Sequence, residues 1–554
     1  MDSLNSHGTC SDSPYKLLIQ AASLIPIHHY LAWIFLFCLI FLYHFLELHL
    51  LHDLFTGFRG QPVSLTFHSR SELYQKVVSN CQILHGRYLS TPWLPSPHLQ
   101  TTFLSFRENA PTNMYTRQLM RTSDGGTVAL DWLKHSDVSD VAYQLNDAIP
   151  KHERTPIVIV IPGLTSDSTS AYVKHFALAM EKSGWNVVVS NHRGLGGISI
   201  TSDCFYNAGW TEDVREVIGF IHKQYQEAPL FIVGTSVGAN VLVKYLGEEG
   251  NNTPIVGAVA ICSPWDALIC DRFLNRRTLQ KLYGKALAVG LKSYAKLHQS
   301  IFSRLTDWEG VEKACSLREF DTHATRVLGK YETVDTYYRR CSSSNFVGGI
   351  LVPLLCINAL DDPICTKEAI AWDECRLNEN IVLATTQHGG HLAFFEGLTA
   401  KSLWWVRAVN EFLNILNSSS LVHKKNKMQT SHLISPNESS IDHSPYLSIS
   451  EDGTVAALAD DQTIKEEKDD DEREEVSLEN EVMQPSKITE EMQLLLPTKK
   501  CMDQLSRRSS FSIWLLVYVA VTTTWPLVGS ALKVLLRKKF GSIFLPRIFK
   551  SKSD

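Results

Sequence analysis

The 554-residue sequence has little that resembles a metal or redox pattern. Its 12 cysteines are scattered from Cys10 to Cys501, with no C-x-x-C pair and no Cys/His cluster at zinc spacing. They read as reduced, mostly buried thiols. A basic excess is also missing: the formal net charge is −5, so nucleic acid is not an expected partner. The glycine-rich stretch Asn191 to Gly197 has neither G-x-G-x-x-G spacing nor a Walker lysine. It reads as a turn and not as a phosphate loop. Residues Met1 to His29 are polar and mixed and lack the basic n-region of a strong signal peptide. What remains is an ordinary globular composition, 44% hydrophobic and 20% charged, long enough for one large α/β domain with appendages.

The appendages are marked by changes of composition. Tyr30 to Leu46 is almost wholly apolar, and extended to Leu51 it reaches the ~20 residues that a bilayer crossing needs. Residues 30–51 are therefore expected to form a transmembrane anchor behind the polar segment 1–29. Residues 417–500 turn polar, with an acidic block from Asp460 to Glu475, and read as a disordered tail whose protein partners stay open. Residues 511–536 are apolar again, broken by Pro526 and flanked by Arg507-Arg508 and Arg537-Lys538-Lys539. That segment is expected to contact a membrane by spanning, re-entering or lying in the interface. The catalytic domain is expected between them, over 59–416.

Inside that domain strands and helices alternate. Pro156 to Ile161, Asn186 to Ser190, Leu230 to Val233, Ile255 to Ile261, Val352 to Ile357 and Ile381 to Thr385 are short apolar runs rich in β-branched residues. Such runs suit strands buried on both faces of a parallel sheet. Tyr115 to Thr122 and Thr127 to Trp132 flank Asp124-Gly125-Gly126 as strand, turn, strand. Tyr172 to Ser183, Trp210 to Gln226 and Ser402 to Leu416 carry helical periodicity. Residues 263–346 break the alternation, at the position where such folds insert a helical lid. The proline-rich stretch Trp93 to Thr101 reads as a fixed loop of specific chemistry.

The chemistry centres on Gly234-Thr235-Ser236-Val237-Gly238, which follows a strand and opens a helix. Strand, G-x-S-x-G, helix is a nucleophile elbow: the turn exposes the serine hydroxyl, and the next N–H, from Val237, points at a developing oxyanion. A serine needs a general base, and the base needs a carboxylate to orient it. Asp361 and Asp362 follow one later strand, and His388 and His391 follow the next, in the order nucleophile, acid, histidine. Asp362 is the expected acid, because Pro363-Ile364-Cys365 makes the turn that presents it. His391 is the expected base, because Gly389-Gly390 lets the backbone turn its ring inward. Asp361 and His388 are expected to be structural. Leu164, after Pro162-Gly163, is the expected second oxyanion donor. The fold class is therefore α/β, the α/β-hydrolase fold, with a mostly parallel sheet, helices on both faces, a helical lid and the N-terminal membrane segment. The chemistry calls for no cofactor and no metal.

With these residues in hand the chain resembles the membrane-anchored α/β-hydrolase-domain proteins that include the plant embryogenesis-associated hydrolases and their animal, yeast and bacterial relatives. The likeness is carried by Trp93 to Thr101, Pro162-Gly163-Leu164-Thr165, Asn191-His192-Arg193-Gly194, the elbow through Asn240, Asn358 to Pro363, and His388 to Glu396. It covers the catalytic domain and the anchor but not the tail. Pro162 stands where the family usually has histidine. Only a backbone N–H is needed there, so activity is still expected. The resemblance implies a serine esterase or lipase acting on acylglycerol, phospholipid or medium-chain esters at a membrane, the endoplasmic reticulum or another endomembrane. An acyltransferase would use the same triad, although no H-x-x-x-x-D box starts at His391, where Glu396 holds the last position. A membrane scaffold on a retired hydrolase fold is the non-enzymatic alternative.

Overall fold

The computed structural model describes residues 14–105, 115–135, 154–422, 447–449 and 455–457. Residues up to Leu433 form one compact unit, and those from Ile434 a second. In the second unit Leu447–Ile449 pairs antiparallel with Val455–Ala457. The reading of residues 417–500 as a disordered tail does not contain this ribbon. The remainder of that tail from residue 423 on, and the whole of 511–536, lie outside the described residues.

The first unit is built on a nine-stranded sheet. In chain order its strands are β1 Ser64–Phe67, β2 Thr116–Arg121, β3 Thr127–Leu133, β4 Ile157–Ile161, β5 Asn186–Ser190, β6 Leu230–Thr235, β7 Ile255–Ile261, β8 Leu354–Ala359 and β9 Ile381–Thr386. Across the sheet they run β1-β9-β8-β7-β6-β4-β5-β3-β2. From β9 to β5 every pairing is parallel. The edges β1, β3 and β2 are antiparallel. Each parallel strand is buried along its whole length, as the β-branched runs require. Alternate residues serve opposite faces: Val158 and Val160 join one core cluster, Ile157, Ile159 and Ile161 the other.

Helices cover both faces. α1 Ile27–Phe45, α2 Leu50–Phe55 and α3 Pro97–Ser105 precede the parallel core. α4 Ala171–Lys182, α5 Glu212–Gln224 and α6 Val237–Glu249 cross between its strands. Between β7 and β8 the chain leaves the sheet through a helical insertion that includes α7 Ala267–Leu274, α8 Thr278–Leu297, α9 Gln299–Leu305 and α10 Val334–Cys341. α11 Trp404–Asn417 closes the domain. Phe176 and Met180 of α4 share one core with Trp405 and Phe412 of α11, while Val217 and Ile221 of α5 share the other with Leu242 of α6. This is the α/β-hydrolase fold.

Three boundaries differ from the sequence reading. The apolar helix ends at Phe45, and Glu47 adopts φ 51° in the turn before α2. Residues 30–51 are thus a helix, a turn and the start of a second helix. Pro97 opens α3 and does not continue a loop, because proline at the first helical position lacks only an N–H that has no partner there anyway. The domain also reaches beyond 59–416: His49 and Asp53 before it and Val422 after it are buried.

Two glycines fix α6 against its surroundings. A Cβ on Gly238 would meet the Ile161 carbonyl oxygen at 2.3 Å, and one on Gly247 would meet the Phe346 carbonyl oxygen at 2.1 Å. No other residue type permits either approach.

Candidate active site

Ser236 sits between β6 and α6 with φ 54° and ψ −121°, a strained conformation for a residue with a Cβ. Its N–H donates to the Ile261 carbonyl at 2.8 Å, tying the turn to β7. Gly234 leaves room below it, since a Cβ there would meet the Gly238 carbonyl oxygen at 2.5 Å.

His391 reaches the serine from the loop after β9. Its Nε2 lies 3.0 Å from Ser236 Oγ, and its Nδ1 lies 2.8 Å from Asp362 Oδ2. The other carboxylate oxygen of Asp362 accepts the N–H groups of Ile364 and Cys365, both at 2.8 Å. Asp362 therefore has one oxygen fixed by backbone and one free to orient the imidazole. The His391 loop is held from three sides. Its own N–H donates to Thr101 Oγ1 of α3, Trp405 Nε1 donates to the Leu392 carbonyl, and Gly390 N–H donates to Asp361 Oδ1. Gly389 and Gly390 take φ 155° and 60°.

Asp361 and His388 form a second pair, His388 Nδ1 to Asp361 Oδ2 at 3.2 Å. Neither touches Ser236. Cys262 brings a third donor type to the Asp362–His391 pair: its sulfur, an Asp362 oxygen and a His391 nitrogen lie within 4.8 Å of one another. Burial, then the Asp362 charge, pushes the Cys262 thiol well above its usual range. A neutral thiol beside an aspartate whose oxygens already have partners suits close packing better than a set of metal ligands.

The turn after β4 lies directly against the serine. A Cβ on Gly163 would come within 3.2 Å of Ser236 Cβ. Three side chains brace this turn. The Tyr172 hydroxyl accepts the Gly163 N–H at 2.9 Å, the Tyr206 hydroxyl accepts the Thr165 N–H at 3.2 Å, and His192 Nε2 lies 2.9 Å from the Pro162 carbonyl oxygen. Burial holds His192 below its usual pKa, so it is the neutral ring that donates to the carbonyl. His192 also stacks on Tyr206, centroids 4.4 Å apart. With its neighbours engaged, the Leu164 N–H is the amide of this turn with no acceptor among the described residues. The Val237 N–H, at the first position of α6, has no intrahelical acceptor either. The sequence reading missed all three bracing residues. The Asn191-His192-Arg193-Gly194 stretch was visible, but no spacing shows that its ring reaches back 30 residues to Pro162.

A family profile described as serine aminopeptidase, S33, matches residues 152–397. The embryogenesis-associated protein EMB8 of Picea glauca is 35% identical over 356 residues, which is 63% of this chain and 76% of the relative. The chain belongs to the α/β-hydrolase-domain family. Further members include the phospholipase ABHD3 of Mus musculus, 32% identical over 61% of this chain and 80% of that protein. The monoacylglycerol lipase ABHD2 of Danio rerio is 29% identical over 63% and 82%. Like the family, the chain is a serine hydrolase of the esterase and lipase type.

Proposed function

We propose that the chain is a membrane-held serine carboxylic ester hydrolase acting on acylglycerol, phospholipid or medium-chain esters. The observation that carries this reading is the hydrogen-bonded line from Ser236 Oγ through His391 to Asp362, at 3.0 and 2.8 Å. His391 Nε2 takes the serine proton as Oγ attacks the ester carbonyl. Asp362 holds the ring and stabilises the imidazolium. The N–H groups of Val237 and Leu164 receive the oxyanion, where the loss of one donor typically costs 10²–10³-fold in rate, roughly. The tetrahedral intermediate then collapses, and His391 gives its proton to the departing alcohol. Water, activated by the same imidazole, releases the acid from the acyl-enzyme.

Two features support a lipid-like substrate. Leu164 packs against an apolar cluster formed largely by the insertion, including Leu291, Tyr294 and Phe302. This puts a greasy wall beside the oxyanion turn, so the insertion acts as a lid over the acyl chain. α1 is also the one helix among the described residues that is long and apolar enough to cross a bilayer, 19 residues with none of them buried. Its length of about 28 Å, at 1.5 Å per residue, is close to the ~30 Å hydrocarbon core. Leu50, Leu51, Leu54 and Phe55 of α2 extend this exposed apolar surface. Names of relatives point the same way: ABHD3 is called a phospholipase and ABHD2 a monoacylglycerol lipase.

Labelling with a fluorophosphonate probe tests the nucleophile. The native chain should label and lose esterase activity, and Ser236→Ala should do neither. Equal labelling of the variant would overturn the assignment.

A further inference from the structure

The triad does not use up the Trp93–Thr101 stretch. At its start the chain receives the end of the apolar helix: Ser96 Oγ donates to the Leu46 carbonyl at 2.5 Å, and the Pro95 carbonyl accepts the His49 N–H at 2.9 Å. At its end Thr101 holds the His391 N–H. Between these two anchoring points lies His98, one helical turn before Thr101 and 5% exposed. Its Nδ1 lies 3.1 Å from the hydroxyl of Tyr283 on α8, in the lid. Its Nε2 is buried with no hydrogen-bond partner.

In the tautomer in which the Tyr283 hydroxyl donates to His98 Nδ1, the ring carries its own proton on Nε2. One helical turn before Tyr283, on the same face of α8, the Oε1 of Gln280 is likewise buried without a partner, and that residue is 2% exposed. A ring nitrogen from α3 and an amide oxygen from α8 are thus left unmatched on the two elements joined by the His98–Tyr283 contact. Each such group in a native interior calls for an explanation, a functional role among them.

The position says which part of a substrate this is. His391 protonates the leaving alcohol, so the alcohol portion of an ester must lie on the histidine side of the serine. Acyl carbons lie on the side of Leu164 and the apolar lid cluster. His98 is attached to the histidine side through Thr101, and the Asp362 charge reaches Tyr283. The charge says which chemistry. Burial holds His98 down to about 4, against a smaller opposing effect of Asp361, so the ring is neutral. The carboxylates of Asp361, Asp362 and Glu47 act on the His98–Tyr283 pair. A phosphate would find no cation in the pair itself; of the three carboxylates Glu47 is ion-paired with Arg277 at 3.4 Å, which leaves those of Asp361 and Asp362 to repel it.

On the footing of the proposed ester hydrolysis, we infer that His98 Nε2–H and Gln280 Oε1 form a subsite for the uncharged hydroxyls of a polyol leaving group, of the glycerol type. His98 donates to one hydroxyl oxygen and Gln280 accepts from a neighbouring hydroxyl. A simple alkyl ester of the same acid leaves both unmatched. Sites built to bond a hydroxyl discriminate strongly against analogues that lack it.

The test uses the full chain in detergent micelles with three substrates sharing one acyl chain: the monoacylglycerol, the ethyl ester and the lysophosphatidylcholine. The readout is the ratio of kcat/KM for the glyceryl ester over the ethyl ester. His98→Leu and Gln280→Leu should each lower this ratio at least tenfold, mainly through KM. His98→Gln, which keeps an N–H donor at similar reach, should restore most of it. A ratio within twofold of the native value in both leucine variants overturns the subsite. So does a parallel fall on both esters with no rescue by glutamine, which marks a purely structural pair. An effect confined to the lysophospholipid overturns the uncharged ligand. A native chain that cleaves none of the three removes the hydrolase reading and this inference with it, and that outcome cannot be confused with an unchanged ratio.

Discussion

Two aspartate–histidine pairs stand side by side in this protein, made from neighbouring residues of the same two loops. Asp362 meets His391 at 2.8 Å, and Asp361 meets His388 at 3.2 Å. Both aspartates also bind backbone N–H groups, Asp362 those of Ile364 and Cys365, Asp361 that of Gly390. The pairs differ in what the far side of the ring meets. His391 turns its Nε2 to Ser236. His388 stacks on His49, centroids 3.9 Å apart, and His49 lies 2.6 Å from Asp53 of α2. One pair faces Ser236, while the other faces the segment that follows the apolar helix. Composition alone does not give a carboxylate–imidazole pair its role; the third group in line with it does.

The comparison can be broken at several points. His391→Ala should remove the general base and cut kcat by roughly 10⁴-fold or more, with circular dichroism and the thermal unfolding midpoint showing an intact fold. Asp362→Asn keeps the shape but favours the wrong tautomer, and kcat should fall about 10³–10⁴-fold. A fall under tenfold would mean that Asp361 can serve in its place. His388→Ala should leave kcat within about tenfold of native, because its ring touches neither serine nor oxyanion turn. If His388→Ala proved worse than His391→Ala, the two roles would be reversed. The smallest effect concerns the stack itself. In a double-mutant cycle on His49→Ala and His388→Ala, thermal unfolding should reveal a coupling of ~0.5–1.5 kcal/mol. Strict additivity would show that the catalytic loop and α2 are energetically independent.

The sequence makes the line from Ser236 through His391 to Asp362 legible for a physical reason. Each of its members follows a strand whose apolar run is continuous, so the C-terminal edge of the sheet can be located residue by residue. Val187 to Val189 and Ile232 to Val233 admit no other reading once their lengths are short. β1 escapes notice because Ser64–Phe67 is only four residues long, and its partner β9 lies more than 300 residues away. The start of α3 escapes because Pro95 and Pro97 look like breaks, whereas Pro97 begins the helix. The bracing of the oxyanion turn escapes for a different reason. Tyr172, His192 and Tyr206 act through single bonds to backbone atoms, and such bonds leave no periodicity. The subsite residues His98 and Gln280 are hidden in the same way, on helices that the chain brings together across 182 positions.

α6 has a further consequence. It is pinned near its start by Gly238 against the carbonyls of Ile161 and Pro162, and near its end by Gly247 against Phe346. A rod seated at both ends has no room to slide or tilt. Ser236 is therefore a stationary reference point, and any adjustment to substrates of different size must be made by parts that move past it, the lid above all. In a saturation library the same geometry should appear as a map of tolerance. Positions 238 and 247 should accept almost nothing, while the exposed face of α8 in the insertion should accept nearly everything. Diversity of substrates among descendants of this chain would then be written in the lid, with the serine and its helix carried along unchanged.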